Sequence, residues 1–298
     1  MLSTMILWGV SFVATKLVLG RISPLSYMGV RFLIASVALA LVMLLRGRPH
    51  FSARTHLLIA LTALAEPVAY FLFESYGVRL VSATTASLLI ATVPLAVMLL
   101  AAAFLGEPLR RGALFAVAVS ITGVMLLVVG AEDAGGTRAD RILGILLVLG
   151  AVLSAALYIT QARHLTQRHD PVNLTILQTW WGAGVFGLLW RLQPETERSL
   201  AALGQEGWIA ILFLAFGATV AAFLLYNWAL RHETAGTASL YINAIPLVTA
   251  LAGWLILDER LRPLQLVGAG LVLLAVRIAV RSSPGSVESI VEALPPEA

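Results

Sequence analysis

Ten runs of apolar residues, each bounded by Pro, Gly or charge, follow one another at 2–19, 24–45, 57–79, 83–105, 109–130, 142–163, 171–191, 207–230, 235–257 and 263–281. A helix that crosses a bilayer needs about 20 consecutive apolar residues, and every run approaches or reaches that length. Only 12% of the chain is charged and 59% is hydrophobic, about half the charge of an ordinary soluble domain. Lipid offers no hydrogen bonds to the backbone, so the runs are expected as α-helices. The sequence therefore predicts an all-α integral membrane protein with ten transmembrane helices. Most connections are short, which predicts antiparallel neighbours; 131–141 and 192–206 are the long loops. The tail 282–298, with Pro284, Pro295, Pro296 and three Glu, reads as disordered. The first run lacks a basic leader and a small-residue cleavage site, so it reads as a retained span.

An internal repeat then fixes the architecture. Pairing residue i with i+152 over 64–128 needs no gap and gives 21 identities in 65 positions. Ala86-Ser87-Leu88 meets Ala238-Ser239-Leu240, Pro94-Leu95 meets Pro246-Leu247, and Leu105, Glu107, Leu109 and Arg110 meet Leu257, Glu259, Leu261 and Arg262. Shared hydrophobicity explains matched Leu and Val, but not Pro, Glu, Ser and Arg in register. Five helices per half is an odd number, so the second half enters the membrane upside down, as in secondary transporters. The halves are 1–130 and 142–281, joined by the loop 131–141. Pro94 and Pro246 are expected to kink the fourth and ninth spans at equivalent points and are candidate hinges.

Composition removes other chemistries. The chain has no Cys, hence no disulfide or thiolate metal site. Its one Lys, Lys16 in Ala-Thr-Lys-Leu, is not part of a phosphate-binding loop, and none of its five His forms a zinc-protease pair. No cofactor, metal or enzymatic activity is expected. The net charge of +4 comes from Arg scattered between apolar runs, which reads as a topology signal and not as a nucleic-acid surface. Arg46, Arg48, Arg54, Arg110 and Arg111 against Arg21 and Arg79 predict a cytoplasmic N-terminus, and with an even number of spans a cytoplasmic C-terminus.

Trp8-Gly9 with Ser11-Phe12 in the first span, Arg31-Phe32 in the second, and the doubled order Ala-Ser-Leu, Pro, Leu-x-Glu resemble the drug/metabolite transporter superfamily, specifically its ten-helix EamA-type permeases, which include the YddG-like amino-acid exporters. The resemblance covers about 1–281. The second copy departs from it with Asp258-Glu259-Arg260 where the first has Gly106-Glu107-Pro108. It implies ten helices around a central cavity, peripheral fifth and tenth helices, a monomer that contains both halves, a location in the inner or plasma membrane, and alternating-access export of small metabolites, most readily amino acids with aromatic or hydrophobic side chains. A phosphorylated-sugar or nucleotide-sugar carrier and a passive channel are the alternatives.

Lys16, Arg31, Glu66 and Glu74 lie within predicted spans, where a charge costs roughly 2.5–3.5 kcal/mol on insertion scales and normally faces a cavity or a partner. Lys16, near its helix end, is expected to snorkel. Arg31 lies seven residues into its run, about 10 Å deep at 1.5 Å per residue, and Glu74 reaches a matching level on the antiparallel third span. Two roles are open for them: a mutual ion pair, or contact with substrate or proton. Glu66 sits near mid-membrane before Pro67. With Tyr70 and Glu74 it recurs every four residues, on one helix face, which makes it a candidate proton carrier or a carboxyl hydrogen-bonded between helices. Trp8, Ser11, Ser87, Tyr158, Gln161, Gln178, Trp181, Tyr226, Asn227, Ser239, Tyr241 and Asn243 complete the predicted cavity lining, because lipid-facing surfaces have little use for Asn and Gln.

Overall fold

The computed structural model describes residues 1–47, 51–105, 111–130, 137–195, 200–232 and 241–282; no strand occurs among them. In the first half the helices are α1 (Leu2–Leu19), α2 (Pro24–Arg46), α3 (Ala53–Ala63), α4 (Tyr70–Leu80), α5 (Ala83–Ile90), α6 (Val93–Leu105) and α7 (Arg111–Gly130). They continue as α8 (Arg138–Arg168), α9 (Pro171–Leu192), α10 (Gly204–Leu212), α11 (Ala222–His232), α12 (Ile245–Leu257) and α13 (Pro263–Ser282). Among the described residues six stretches, including Ala53–Leu80, Ala83–Leu100 and Ala201–His232, are long and apolar enough to cross a membrane. Large apolar side chains such as Leu44, Leu45 and Leu192 cover the outside of the bundle, as lipid requires. Glu107, Ser239 and the tail from 283 lie outside the described residues.

The helix starts follow from local chemistry. The hydroxyls of Ser23, Ser52 and Ser82 and the carboxylate of Asp170 each accept a backbone N–H at N3, and Pro24 and Pro171 occupy the first helical position. Three of the long stretches are built from segments. A π-helical turn, Leu64–Ala69, joins α3 to α4, and another, Phe213–Ala221, joins α10 to α11. In the first, Glu66 leaves helical conformation (φ −146°, ψ 120°), as expected of a residue preceding Pro. The stretch from Ala83 is interrupted at Ala91–Thr92, just before Pro94. Pro246 stands at an equivalent point, where a 3₁₀ turn, Ile242–Ala244, gives way to α12. The second π turn contains no Pro and had no sequence signal.

Helices that correspond in the sequence repeat pack against each other in opposite directions. Gln193, after α9, hydrogen-bonds Ser23 (3.2 Å) and Ser26 (2.6 Å) at the start of α2, while Arg46 at the end of α2 pairs with Asp170 before α9 (3.3 Å). Gly123 of α7 and Gly268 of α13 bring two backbones so close that a Cβ on Gly123 would lie 2.8 Å from the Gly268 carbonyl oxygen. Glu259, after α12, reaches the start of α5: its carboxylate accepts the N–H of Ala83 (2.9 Å) and the N–H and hydroxyl of Thr84 (3.0 and 2.7 Å). These are the donors that a helix start leaves unpaired. Beside it, Lys16 Nζ donates to the carbonyls of Val78 (2.8 Å), Arg79 (3.3 Å) and Val81 (2.6 Å), so it caps the end of α4 instead of snorkelling. One corner thus ties α1, α4, α5 and α12 together. Hydrogen bonds to a charged group contribute about 1.5–3 kcal/mol each. Glu259→Ala should therefore lower the unfolding temperature in detergent clearly, and Glu259→Gln, which keeps one carbonyl acceptor, should recover part of the loss; an unchanged temperature in Glu259→Ala would show that this corner does not hold the bundle.

Candidate functional site

A buried pocket lies where α1, α2, α4, α8 and α11 meet the interrupted stretches. Its polar lining is Ser11, Arg31, Glu66, Tyr70, Glu74 and Tyr226; Trp8, Phe12, Phe71 and aliphatic side chains complete the walls. The pocket measures about 40 Å³, room for roughly three waters at 10–15 Å³ each. A larger cleft of about 520 Å³ between α6, α7 and α8 is aliphatic apart from Thr92 and Ser120 and holds no charge.

Arg31 is 1% exposed and firmly held. Its Nε donates to Thr219 Oγ1 (2.7 Å), its Nη1 donates to the Tyr27 hydroxyl (2.5 Å), and its guanidinium carbon lies 4.3 Å from the centre of the Phe71 ring, a cation–π geometry. Thr219 donates in turn to the Leu214 carbonyl inside the second π turn (2.9 Å), and Tyr27 is paired with Thr15 of α1 (2.9 Å). The guanidinium is thus presented to the pocket in one orientation by three elements.

The carboxylates are placed differently. Glu74 is 2% exposed, with Ser75 Oγ donating to it at 3.4 Å, and Glu66 receives no hydrogen bond among the described residues. Glu66, Tyr70 and Glu74 all line the pocket. Of the two roles open for Arg31 and Glu74, the direct ion pair is not formed among the described residues. The guanidinium is engaged by Tyr27 and Thr219, and no salt bridge within 4.0 Å joins it to either carboxylate among the described residues. Opposite charges therefore line one pocket without neutralising each other by contact.

The other predicted lining residues divide into groups. Trp8, Ser11 and Tyr226 line the pocket, with the Trp8 and Tyr226 rings 4.9 Å apart. Tyr158, Asn227 and Gln178 form a buried network beside it: the Tyr158 hydroxyl donates to Asn227 Oδ1 (2.8 Å), and Asn227 Nδ2 donates to Thr175 (2.9 Å) and to Gln178 Oε1 (3.3 Å). Ser87 is buried but turned to the Thr84 carbonyl of its own helix, and Tyr241 packs at the edge of the main core. Gln161 and Asn243 each keep a buried oxygen without a partner among the described residues. Trp181 is corrected: it is 48% exposed on the outside of the bundle. Its neighbour Trp180 takes the inward position on α9, donating to the Ser36 carbonyl (3.2 Å), and one helical residue further on the side chain has turned about 100° away. Sequence reasoning missed Tyr27, Thr15 and Thr219. Tyr27 precedes Arg31 by one turn of the same helix, a detectable signal; Thr219 is joined to Arg31 only by the fold.

Apolar helices packed around a buried pocket with fixed charges define a polytopic membrane transporter. The profile of the EamA-like transporter family matches residues 1–129 and again 142–281, and the chain belongs to that family. It is 31% identical, over 93% of this chain and 96% of the relative, to an uncharacterized transporter of Archaeoglobus fulgidus. It is 28% identical to a probable amino-acid metabolite efflux pump of Escherichia coli, over 94% and 93% of the two chains, and 29% identical to a probable terminal-alkyne amino-acid exporter of Streptantibioticus cattleyicolor, over 95% and 92%. A solved crystal structure shares the fold with TM-score 0.66 at 19% identity, covering 95% of this chain and 96% of its own.

The geometry of Arg31 generates a double-mutant test. Removing Arg31 and Thr219 together (Arg31→Met, Thr219→Ala) should show a coupling of about 1 kcal/mol or more in thermal stability, the signature of residues in contact. Arg31→Met with Glu74→Gln should show the smaller coupling of the two cycles. A reversed order would restore the ion-pair reading of Arg31 and Glu74.

Proposed function

We propose that this protein exports amino acids with apolar side chains across the cell membrane by alternating access between two inverted five-span halves. The observation that carries the reading is the separation of charges in the pocket: a guanidinium fixed by Tyr27, Thr219 and Phe71, and two carboxylates that do not contact it. A zwitterion supplies what such a pocket lacks, a carboxylate for Arg31 and an ammonium for Glu74 or Glu66, and Trp8, Phe12 and Phe71 offer apolar walls to a side chain. Charge-assisted hydrogen bonds of this kind are roughly twice as strong as neutral ones. A phosphorylated cargo is disfavoured because Arg31 is the single basic side chain in the lining among the described residues.

The inverted arrangement is supported by the antiparallel packing of corresponding helices and by the breaks before Pro94 and Pro246. A pocket of about 40 Å³ is too narrow for an amino acid, so cargo requires it to widen. The interrupted stretches give the spans points at which to bend, with Pro94 and Pro246 as hinges. One chain carries both halves, which favours a functional monomer, and the arginine distribution favours cytoplasmic termini.

Counterflow in liposomes tests the cargo. Vesicles preloaded with unlabelled L-phenylalanine or L-leucine should accelerate uptake of the labelled amino acid, whereas the methyl ester and the N-acetyl derivative, each lacking one charge, should not. Arg31→Met should lower the rate at least about tenfold, the loss of one charge-assisted interaction. Equal acceleration by the methyl ester would refute the zwitterion reading, and ohmic currents without saturation would favour a channel.

A further inference from the structure

The cleft of about 520 Å³ between α6, α7 and α8 takes no part in the charged pocket. Its size falls within the range of small-molecule sites, about 300–1,000 Å³. The floor is buried: Leu95, Ala96, Ser120, Ile145 and Val152 are each no more than 6% exposed, whereas Leu146 and Leu153 at the mouth are 59% and 54% exposed. Water has little to hold it there. A buried water needs about two to four polar partners, and the Thr92 hydroxyl already donates to the Leu89 carbonyl (2.6 Å), which leaves Ser120 in the described lining. The cleft is shaped for hydrocarbon.

Its depth matches one leaflet. On α8 the lining runs from Ile142 to Leu153, about 16 Å at 1.5 Å per residue, and half the hydrocarbon core of a bilayer is about 15 Å. Ile142 lies one turn inside the start of α8, and a Cβ on the neighbouring Gly144 would lie 2.8 Å from Leu80 Cβ, where α4 ends. One end of the cleft is therefore level with the ends of the spans and the other with the middle of the bilayer. Charge stands at the shallow end. Arg138 precedes Ile142, and Arg141 precedes Ile145, by one helical turn, so both continue the face that lines the cleft. Arg138 is exposed, and helical side chains lean towards the N-terminus, here towards the lipid headgroups. Asp140, between the two arginines, is committed to its own helix start, where it accepts the N–H and the hydroxyl of Thr137 (both 2.8 Å).

We infer that this cleft binds a membrane phospholipid, with one acyl chain laid along α8 between α6 and α7 and the phosphate beside Arg138. Bulk lipid is as apolar as the cleft, so hydrophobicity alone does not retain the chain. Dispersion contacts from three helices hold it by shape, and the guanidinium anchors the phosphate. The site shares its walls with the charged pocket: Thr92 and Val152 line the cleft, while Val93 and Ala155 of the same elements line the pocket. A seated chain lies against the break at Ala91–Thr92, whatever the cargo is.

Photo-crosslinking tests the site. Phosphatidylethanolamine with a diazirine midway along a palmitoyl chain is added to the purified protein in detergent, and the adducts are mapped by peptide mass spectrometry. Labelling should saturate at a single lipid per chain and favour Leu95, Ser120, Ile145 and Val152 over Leu44, Leu45 and Leu192, although the last three are far more exposed. Arg138→Gln should raise the concentration for half-maximal labelling roughly two- to fivefold, the worth of an exposed ion pair. The matching diacylglycerol, which has no phosphate, should be insensitive to that change. Ala96→Phe, which fills the cleft from its floor, should abolish the floor adducts and spare the outer ones; Leu146→Trp, at the exposed mouth, should do the same if Ala96→Phe lowers the unfolding temperature. Adducts distributed in proportion to exposure, or floor adducts that survive both substitutions, would overturn the site. Equal half-maximal concentrations for the wild type and Arg138→Gln would overturn the placement of the phosphate, and the inference with it.

Discussion

A guanidinium cannot lose its proton, so a chain that places Arg31 inside a bilayer must organise its surroundings to keep that charge. The organisation reaches far. Tyr27 meets it from one turn earlier on α2, Thr219 from the π turn before α11, and Phe71 with its ring from α4, while Thr15 steadies Tyr27 from α1. Four elements from both halves are committed to one side chain. A mutual ion pair with Glu74 would have been a shorter solution, but a buried pair satisfies itself and leaves nothing for a ligand. Neutral partners stabilise the cation without cancelling its charge, and that residual field is what a pocket for an anionic group needs.

The interrupted spans follow from the same requirement. Backbone groups freed at Glu66–Pro67, at Ala91–Thr92 and in the π turn at Phe213–Ala221 would be costly against lipid. Here all three breaks adjoin the pocket or hold its side chains: Glu66 comes from the first, Ile90 and Val93 flank the second, and Thr219, the partner of Arg31, comes from the last. Regular helix on the outside and irregular helix around the pocket are therefore one design. The outer surface needs only Leu and Val, whereas the interior needs polar atoms at positions that an unbroken helix does not present.

How much of this could be read from residues alone depends on the range of the interaction. The spans were legible because hydrophobic length is a local property, and the starts of α2, α5 and α9 because Ser23-Pro24, Ser82 and Asp170-Pro171 are local capping signals. Glu66, Tyr70 and Glu74 were legible as a set because helical periodicity nearly survives the π turn. Trp181 was misplaced because Trp180-Trp181 offers two equivalent residues, and only packing against α2 decides which one turns inward. Thr219 was out of reach: a threonine in a hydrophobic run has no signal until the fold brings it against an arginine 188 residues away in sequence. The π turn at Phe213–Ala221, which contains no Pro, was hidden for the same reason.

The two halves also show what a repeat constrains and what it leaves free. Glu259 at the start of α5, the cationic caps Lys16 and Arg163, and the Gly123–Gly268 approach all satisfy backbone groups or let backbones meet, demands that are the same in either half. Side chains facing the pocket carry no such demand, and there the halves part: Glu74 corresponds to Tyr226 and Ser75 to Asn227. The caps recur in register: Lys16 holds the carbonyls of Val78 and Arg79, and Arg163 those of Leu230 and Arg231, 152 residues further on. The lining does not recur: Glu66 and Glu74 place charge in the pocket, whereas Ala218 and Tyr226 at the corresponding positions carry none. A repeat that constrains the scaffold therefore leaves the lining free to diverge, since no backbone group among the described residues depends on those side chains.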